Sequence, residues 1–519
     1  MASTFFGLTI AYSGLQAANT SLNVAGHNIS NINTDGYTRQ QANTTAADAI
    51  RNYTTYGTLG SGVVVTEIAQ IRDSYYDAKY RNNQANYGQY SVKDNYMGQI
   101  EDYLNEFILE GYSVEYENFY EAVNQLTITP GEVSAKNQLI NNAKSLADYF
   151  NTLCTNLRNI QEDANNEIKD AVEQINSYAK NIAALNRQIN QIEANYGNAN
   201  DLRDKRNAMI DELSEIVNVE TTEEDLGNNL TNFTVRINGQ SLVSSYSYNT
   251  LQTVAREEKR NATDAEGLYD IQWSSGQEFD IYNTSLGGHL KGLVDIRDGC
   301  NGEIETIAVD ENGDEITDSD GNLTLETKNQ TENNTTYKGV PYYQAQLNQF
   351  IMTFTDAVNQ IMKSGYTSDG KYQGISLFVT QDNTTVMSAG NVTVNPELLE
   401  NADLLATKKD QNAGEGKAEI MEELSKLQSE KIYDGGTAKY FLESIVSDMS
   451  IDAQKAENLY KNYNNLKTSI HNQRLSVMGV DTDEEAMDLM KFQQAYNLSS
   501  KMMSVMNEIY DKLINQTGL

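Results

Sequence analysis

The chain has 519 residues, 39% of them hydrophobic, enough for roughly three or four domains with substantial cores. It carries 73 acidic against 38 basic residues, a net charge of −35. Such a surface repels phosphate backbones and anionic lipid, which argues against nucleic acid or a membrane surface as partner, and no run of about 18 apolar residues offers a membrane span.

The opening stretch MASTFFGLTIAYSGLQ has no basic n-region and no clean apolar core, so it does not read as a secretory signal peptide. Apolar or small residues recur at Leu8, Ala11, Leu15, Ala18, Leu22, Ala25, Ile29 and Ile32, which predicts a helix with a heptad seam. Its other faces carry Ser, Thr, Asn and Gln, and within residues 1–45 only Asp35 and Arg39 are charged. A soluble helix turns charge to water. One whose outer faces are polar but uncharged suits a place among neighbouring subunits, because burying a partnered hydroxyl or amide is tolerable and burying a charge is not. Asn33-Thr34-Asp35-Gly36 should end this helix, with Gly36 at positive φ ahead of Tyr37.

GTLGSGVVV lacks the third glycine of a dinucleotide fingerprint and predicts a turn before a strand at Val63–Val65. Residues 70–218 read as mostly helix. Ile168, Ala171, Ile175, Tyr178, Ile182, Leu185, Ile189 and Ile192 form a second seam whose outer face is charged, as on a solvated helix. Residues 195–200 read as a loop, and DLRDKRNAMIDELSEIV resumes helix. Residues 220–283 turn to β, with a hairpin at Asn238-Gly239 and the only tryptophan, Trp273, in a β core. Helix is expected again over 286–306, where Cys300 falls on the stripe Leu286, Leu290, Leu293, Cys300, Ile304 and reads as a small buried hydrophobe. Between there and a helix at 341–363 lies an acidic, polar insert with a hairpin turning at Asp320-Gly321. Short strands follow in 366–395, then helix from Pro396 on, with a seam-like run through 437–475. The last helix carries Leu489, Phe492, Tyr496, Ser499, Met503, Met506, Tyr510 and Leu513 in heptad register, with a second apolar row at Leu498, Met502, Val505 and Ile509. Thr482 and Glu485 fit a capping box for it.

Residues for catalysis are scarce. The three histidines, His27, His289 and His471, have no second metal ligand one helical turn away, and no nucleophile or phosphate-loop motif occurs. Asp310, Asn312 and Asp314 imitate the start of a calcium loop, but Glu315 and Gly321 stand where a glycine and a bidentate glutamate are needed. The expectation is therefore a non-enzyme with no cofactor and no metal.

YSGLQAANTSLNVAGHNISNINTDGYTRQ resembles the N-terminal motif of bacterial flagellar rod, hook and hook-associated proteins, through Ser13-Gly14-Leu15, Ala17-Ala18, Leu22, Asn28-Ile29, Asn31, Asn33-Thr34, Gly36-Tyr37 and Arg39-Gln40. That family usually has proline before the glycine; Asp35 here should loosen the turn and keep its left-handed glycine. The C-terminal helix resembles the family's closing helix through Asp483-Glu484-Glu485, Gln493-Gln494-Ala495-Tyr496 and Leu513. In the middle, DLRDKRNAMIDELSEIVNVE, the hairpin at Asn238–Val243, SLGGHLKGLVDIRD and VTVNPELL are similar to the hook-associated protein 1 family. The resemblance covers most of the chain except about 307–340.

The resemblance implies a structural subunit of the hook–filament junction. The expected fold is α+β with discontinuous domains. Residues 1–45 with 476–519 form a coiled-coil pair of terminal helices. Residues 46–219 with 397–475 form a helical bundle, and 220–396 an outer, β-rich domain carrying the insert. The assembly seam would be Leu8, Leu15, Leu22, Ile29, Leu489, Phe492, Tyr496, Met503, Met506 and Leu513, and the turn motif Asn33, Gly36 and Tyr37. Implied partners are further copies of the chain in a ring, the hook protein, the next hook-associated protein toward the filament, and a cytoplasmic export chaperone. Family members leave through the flagellar type III channel without a cleaved signal peptide and reside outside the cell. Two alternatives stand beside this: another axial protein of the family, hook or distal rod, or an outer-domain adhesin or binding module on the same scaffold.

Overall fold

A computed structural model describes residues 6–51, 57–105, 111–257, 259–261, 263–300, 303–307, 325–329, 336–381, 386–433 and 436–516. Helix α1 spans Phe6–Ser30 and is followed by β1 (Gln40–Ala46), the short β2 (Ile50–Arg51) and β3 (Thr58–Leu59), and β4 (Val63–Gln70). Four helices follow: α2 (Ser74–Asn105), α3 (Ser113–Ile128), α4 (Val133–Glu193) and α5 (Asn200–Ile216). Strands β5 (Val219–Gly227), β6 (Leu230–Ile237), β7 (Gln240–Ser244), β8 (Ser247–Tyr248), β9 (Leu251–Ala255) and β10 (Tyr269–Trp273) come next, then α6 (Gly288–Asp298), β11 (Glu303–Ile307), β12 (Leu325–Asn329) and α7 (Val340–Lys363). After β13 (Tyr366–Thr367), β14 (Phe378–Thr380) and β15 (Val392–Val394) come α8 (Pro396–Glu400), β16 (Ala406–Lys408), α9 (Glu419–Leu427), α10 (Ala438–Met478) and α11 (Thr482–Asn515). The class is α+β, as expected, and the helical reading of 70–218 holds.

Two compact units emerge. One gathers Met1–Tyr87, Gln174–Thr250 and Tyr463–Leu519, the other Gly88–Glu173 and Leu251–Asn462. The expected β-rich segment 220–396 is thereby divided after Thr250.

In the unit holding both termini, β5-β6-β7-β8 form an antiparallel sheet in chain order. Asn238 and Gly239 join β6 to β7 with φ of 48° and 75°, the two left-handed residues of a type I′ turn. Asn190 of α4 donates to the Thr231 carbonyl and accepts from its amide, at 2.8 and 3.0 Å. The buried Arg206 guanidinium lies 3.6 Å over the Phe233 ring and donates to Asn186. Arg206, with Arg203 paired to Glu223 of β5 at 2.9 Å, therefore fastens sheet to helix, while Asp201 and Lys205 of the same charged run stay exposed. Gly239→Ala should cost about 1 kcal/mol, because a Cβ disfavours the left-handed region; a thermal melt showing no loss would refute the turn assignment.

The second unit is built on aromatics. Phe350 stacks on Phe150, Phe354, Tyr433 and Phe441, and Tyr112, Tyr116, Phe119 and Tyr120 extend the cluster edge to face. Trp273 is buried against Phe279, in the two-stranded β9–β10 ribbon. Behind that ribbon lies a buried ionic cluster. Arg297 and Asp298 pair side by side, Arg256 grips Asp298 with two bonds of 2.9 Å, and the Tyr282 hydroxyl donates to the same carboxylate.

Four expectations need correction. The chain is not all helix from Pro396 on, because Ala406–Lys408 form a strand paired antiparallel with Tyr366–Thr367, and the long α10 begins only at Ala438. The helix expected over 286–306 stops at Asp298, because the Gly299 backbone lies against that of Gly339, where no Cβ would fit, and the Cys300 amide donates to the Tyr337 carbonyl. Residues 303–307 are instead a strand paired antiparallel with 325–329, so Ile304 lies off the helical stripe and Cys300 is only half-buried. In α11 the N-cap is Asp481, which accepts from the amides of Asp483 and Glu484, while the Glu485 side chain turns inward. Ile32 lies beyond the end of α1 and is exposed. The expected turn at Asp320-Gly321 and the imitated calcium loop fall outside the described residues.

Candidate assembly interface

The terminal helices run antiparallel, and small residues set their distance. At Gly7 and Gly14 of α1 an added Cβ would come within 2.7 Å of Met506 and 3.0 Å of Ser499. A step of one heptad along α1 thus matches one heptad back along α11. Two heptads further the same register brings Asn28 to Glu485, and their side chains are hydrogen-bonded at 3.1 Å.

That meeting is a polar clasp. Asn28 donates to the Gln40 carbonyl as well as to Glu485, and its carbonyl oxygen accepts from the Gln40 amide and the Tyr37 hydroxyl. Every capacity of a buried amide is used, so its burial is tolerable. Glu485, only 2% exposed, accepts from Arg39 Nε at 2.7 Å, and Arg39 also meets Glu484 at 3.0 Å. Thr38 and Gln70 donate to Asp204 of α5, and Gln40 to Asp201. Burial pushes the Asp204 carboxyl above its ordinary value, opposed by the bonds from Thr38 and by Arg72. Burial and three nearby carboxylates also raise the Tyr37 hydroxyl, which therefore stays a protonated donor.

Gly36 takes φ of +75° without the family's usual proline, with an added Cβ meeting Ala208 at 3.1 Å. Tyr37 belongs to the clasp; Asn33 is exposed and outside it. Of the expected seam, Leu8, Leu15, Leu22, Ile29, Leu489, Phe492, Tyr496, Met503 and Met506 are half-buried, and Leu513 is 53% exposed. The buried row of α1 lies partly beside the seam, at Ala17, Ser21, Val24 and Asn28. Leu498, Met502, Val505 and Ile509 form a row left exposed, 70% at Leu498.

His27 edges Tyr37 and lies 3.4 Å from Asp201. Among the described residues, no group of three His, Cys, Asp or Glu side chains is placed to hold a metal ion. No described helix is long and apolar enough to cross a membrane.

Termini that fold on each other, one uncharged and the other with an exposed apolar row, define a subunit of a larger assembly. Residues 8–38 match the family described as flagella basal body rod protein, and 471–516 the flagellar basal body rod FlgEFG protein C-terminal family, which places the ends among flagellar axial proteins. Residues 97–378 match the flagellar hook-associated protein FlgK helical domain, and the chain belongs to the FlgK family.

The chain is 26% identical to flagellar hook-associated protein 1 of Bacillus subtilis, covering 100% of this chain and 99% of that protein. It is 27% identical to the protein of the same name from Escherichia coli K12, over 97% and 98%. The structure of the flagellar hook junction protein FlgK from Burkholderia pseudomallei shares the fold, with a TM-score of 0.58 at 15% identity, over 77% of this chain and all of that one. The protein is a structural component of the flagellum.

Proposed function

We propose that this chain is the subunit of the junction between hook and filament, and that its paired terminal helices are the element by which copies assemble. The observation that carries the reading is the row Leu498, Met502, Val505 and Ile509, exposed on a helix whose antiparallel partner α1 has no Asp, Glu, Lys or Arg. Apolar area of this kind gains roughly 25 cal/mol per Å² when covered, and an uncharged polar surface loses little beside it. In this reading residues 1–45 with 476–519 form the inner assembly domain. Its partners are other copies in a ring, the hook protein and the next hook-associated protein. The chain has no catalytic role, is held before export by a cytoplasmic chaperone, and reaches the outside of the cell without a cleaved signal peptide.

Cells lacking the chain should carry hooks without filaments and release flagellin into the medium. Restoring it as Leu22→Asp should not rescue them, although the variant is exported. A charge in the α1–α11 seam costs several kcal/mol if it stays ionised. Normal motility with Leu22→Asp would remove the terminal pair as the assembly element.

A further inference from the structure

A second stretch shares with α1 the absence of carboxylates. Between Glu457 and Asp481 the chain contains no carboxylate, in a protein with 73 acidic residues. The cations toward its C-terminal end are turned into the fold. Lys467 lies over the Tyr87 ring and near Glu215, and Arg474 bridges Asp77 and Asp211 at 2.8 and 2.6 Å. What remains outward on the C-terminal half of α10 is a shallow groove of about 580 Å³ lined by Asn465, Thr468, Ser469, Asn472, Gln473 and Ser476. Helical spacing sets exposed Leu466 and Val477 along one flank and exposed Leu475 along the other. Lys79, donating to Gln473, marks the edge. An ordinary solvated helix in so acidic a chain would show carboxylates here.

We infer that this face of α10 is a second contact surface between copies of the chain, receiving an uncharged helical face of the next copy. Electrostatics names the occupant. Two chains of net charge −35 repel each other across most of their surfaces. They can approach closely only where neither presents carboxylates, whereas a basic partner would be drawn to the acidic faces instead. The face is also continuous with the proposed assembly element, since α10 ends at Met478, whose carbonyl accepts from the Arg39 amide of the clasp, and α11 begins at Thr482. The inference rests on the self-assembly reading and extends it from the terminal pair to the helix that leads into it.

The test uses the full chain in flagellated cells. Ser469→Cys in a Cys300→Ser background, with Cys154 buried, labelled with a benzophenone maleimide and irradiated in sheared flagella, should give a product of twice the chain mass. A product joined to a different flagellar subunit, or complete labelling without any cross-link, would overturn the assignment. Independently, the double variant Ser469→Glu/Asn472→Glu should lower incorporation into flagella about tenfold or more, with export and thermal melting unchanged because both sites are exposed. Thr152→Glu, on an exposed position of the other unit, serves as the control and should incorporate normally. If the double variant incorporates normally while Leu22→Asp does not, the α10 face is excluded and the terminal pair stands. If Leu22→Asp also incorporates normally, both readings fall.

Discussion

Glu485→Ala should destabilise the α1–α11 pair by about 2–3 kcal/mol. Removing one partner of a buried ion pair typically costs about 3–5 kcal/mol, because the other charge is left without its counterion. Here the loss is tempered, since Arg39 keeps Glu484 at 3.0 Å and remains partly exposed. The Asn28 amide loses one bond of 3.1 Å and keeps the Gln40 carbonyl. The measurement is amide hydrogen exchange on the purified chain. Protection across residues 8–32 and 482–500 should fall by about 30- to 150-fold, while the aromatic core of the other unit is unaffected. Unchanged protection would mean that the small-residue seam alone holds the helices. Glu485→Gln should lose less, because the amide oxygen still accepts from Arg39.

Asp298→Ala should be the most damaging single change in the second unit, costing about 3–5 kcal/mol. The deletion leaves Arg297, fully buried, and Arg256, nearly so, without the carboxylate that pairs both. Tyr282 loses its acceptor at 2.9 Å as well. Burial alone would raise the Asp298 carboxyl, but Arg297 and the bonds from Arg256 outweigh it and hold the group well below the usual carboxylate range. A depressed folded-state value contributes stability that is complete above the unfolded value, near 3.9, and is lost as pH falls through the folded value. The wild type should therefore show no pH dependence of its melting from this group between about pH 5 and 7, where the stabilisation is complete, with the loss beginning only below about pH 4. Asp298→Asn should flatten that acid limb. A melting temperature for Asp298→Ala within a degree of wild type would disprove the cluster's structural weight.

Local signals in the sequence carried the secondary structure well. Heptad spacing announced the terminal helices and α4, and Asn238-Gly239 announced its hairpin, since both are patterns within a few residues. The clasp is not local. Asn28 and Glu485 are joined across nearly the whole chain, and nothing near Glu485 distinguishes an inward carboxylate from a third member of an acidic helix start. One clue did exist. Arg39 is one of only two charges in the first 45 residues, and a lone cation beside an uncharged helix needs a counterion from elsewhere. The end of α6 was equally hidden, because Gly299 stops the helix through Gly339, which lies forty residues further along the sequence.

A heptad repeat has a weakness: it cannot choose its own phase. If α11 slid by seven residues along α1, apolar side chains would again meet apolar ones, and the packing alone would discriminate poorly between the two alignments. The clasp occurs once. In a slipped pair Glu485 would be buried away from Arg39 and Asn28, or Arg39 would lose its nearest carboxylate, at a cost of several kcal/mol. The polar end thus acts like the pin at the base of a zip, fixing where the two sides start so that repetitive teeth close in only one way. The offset between α1 and α11 is thereby fixed at one value. In the proposed ring of copies that uniformity matters, since a subunit out of phase by a heptad would present its exposed row displaced by about 10 Å.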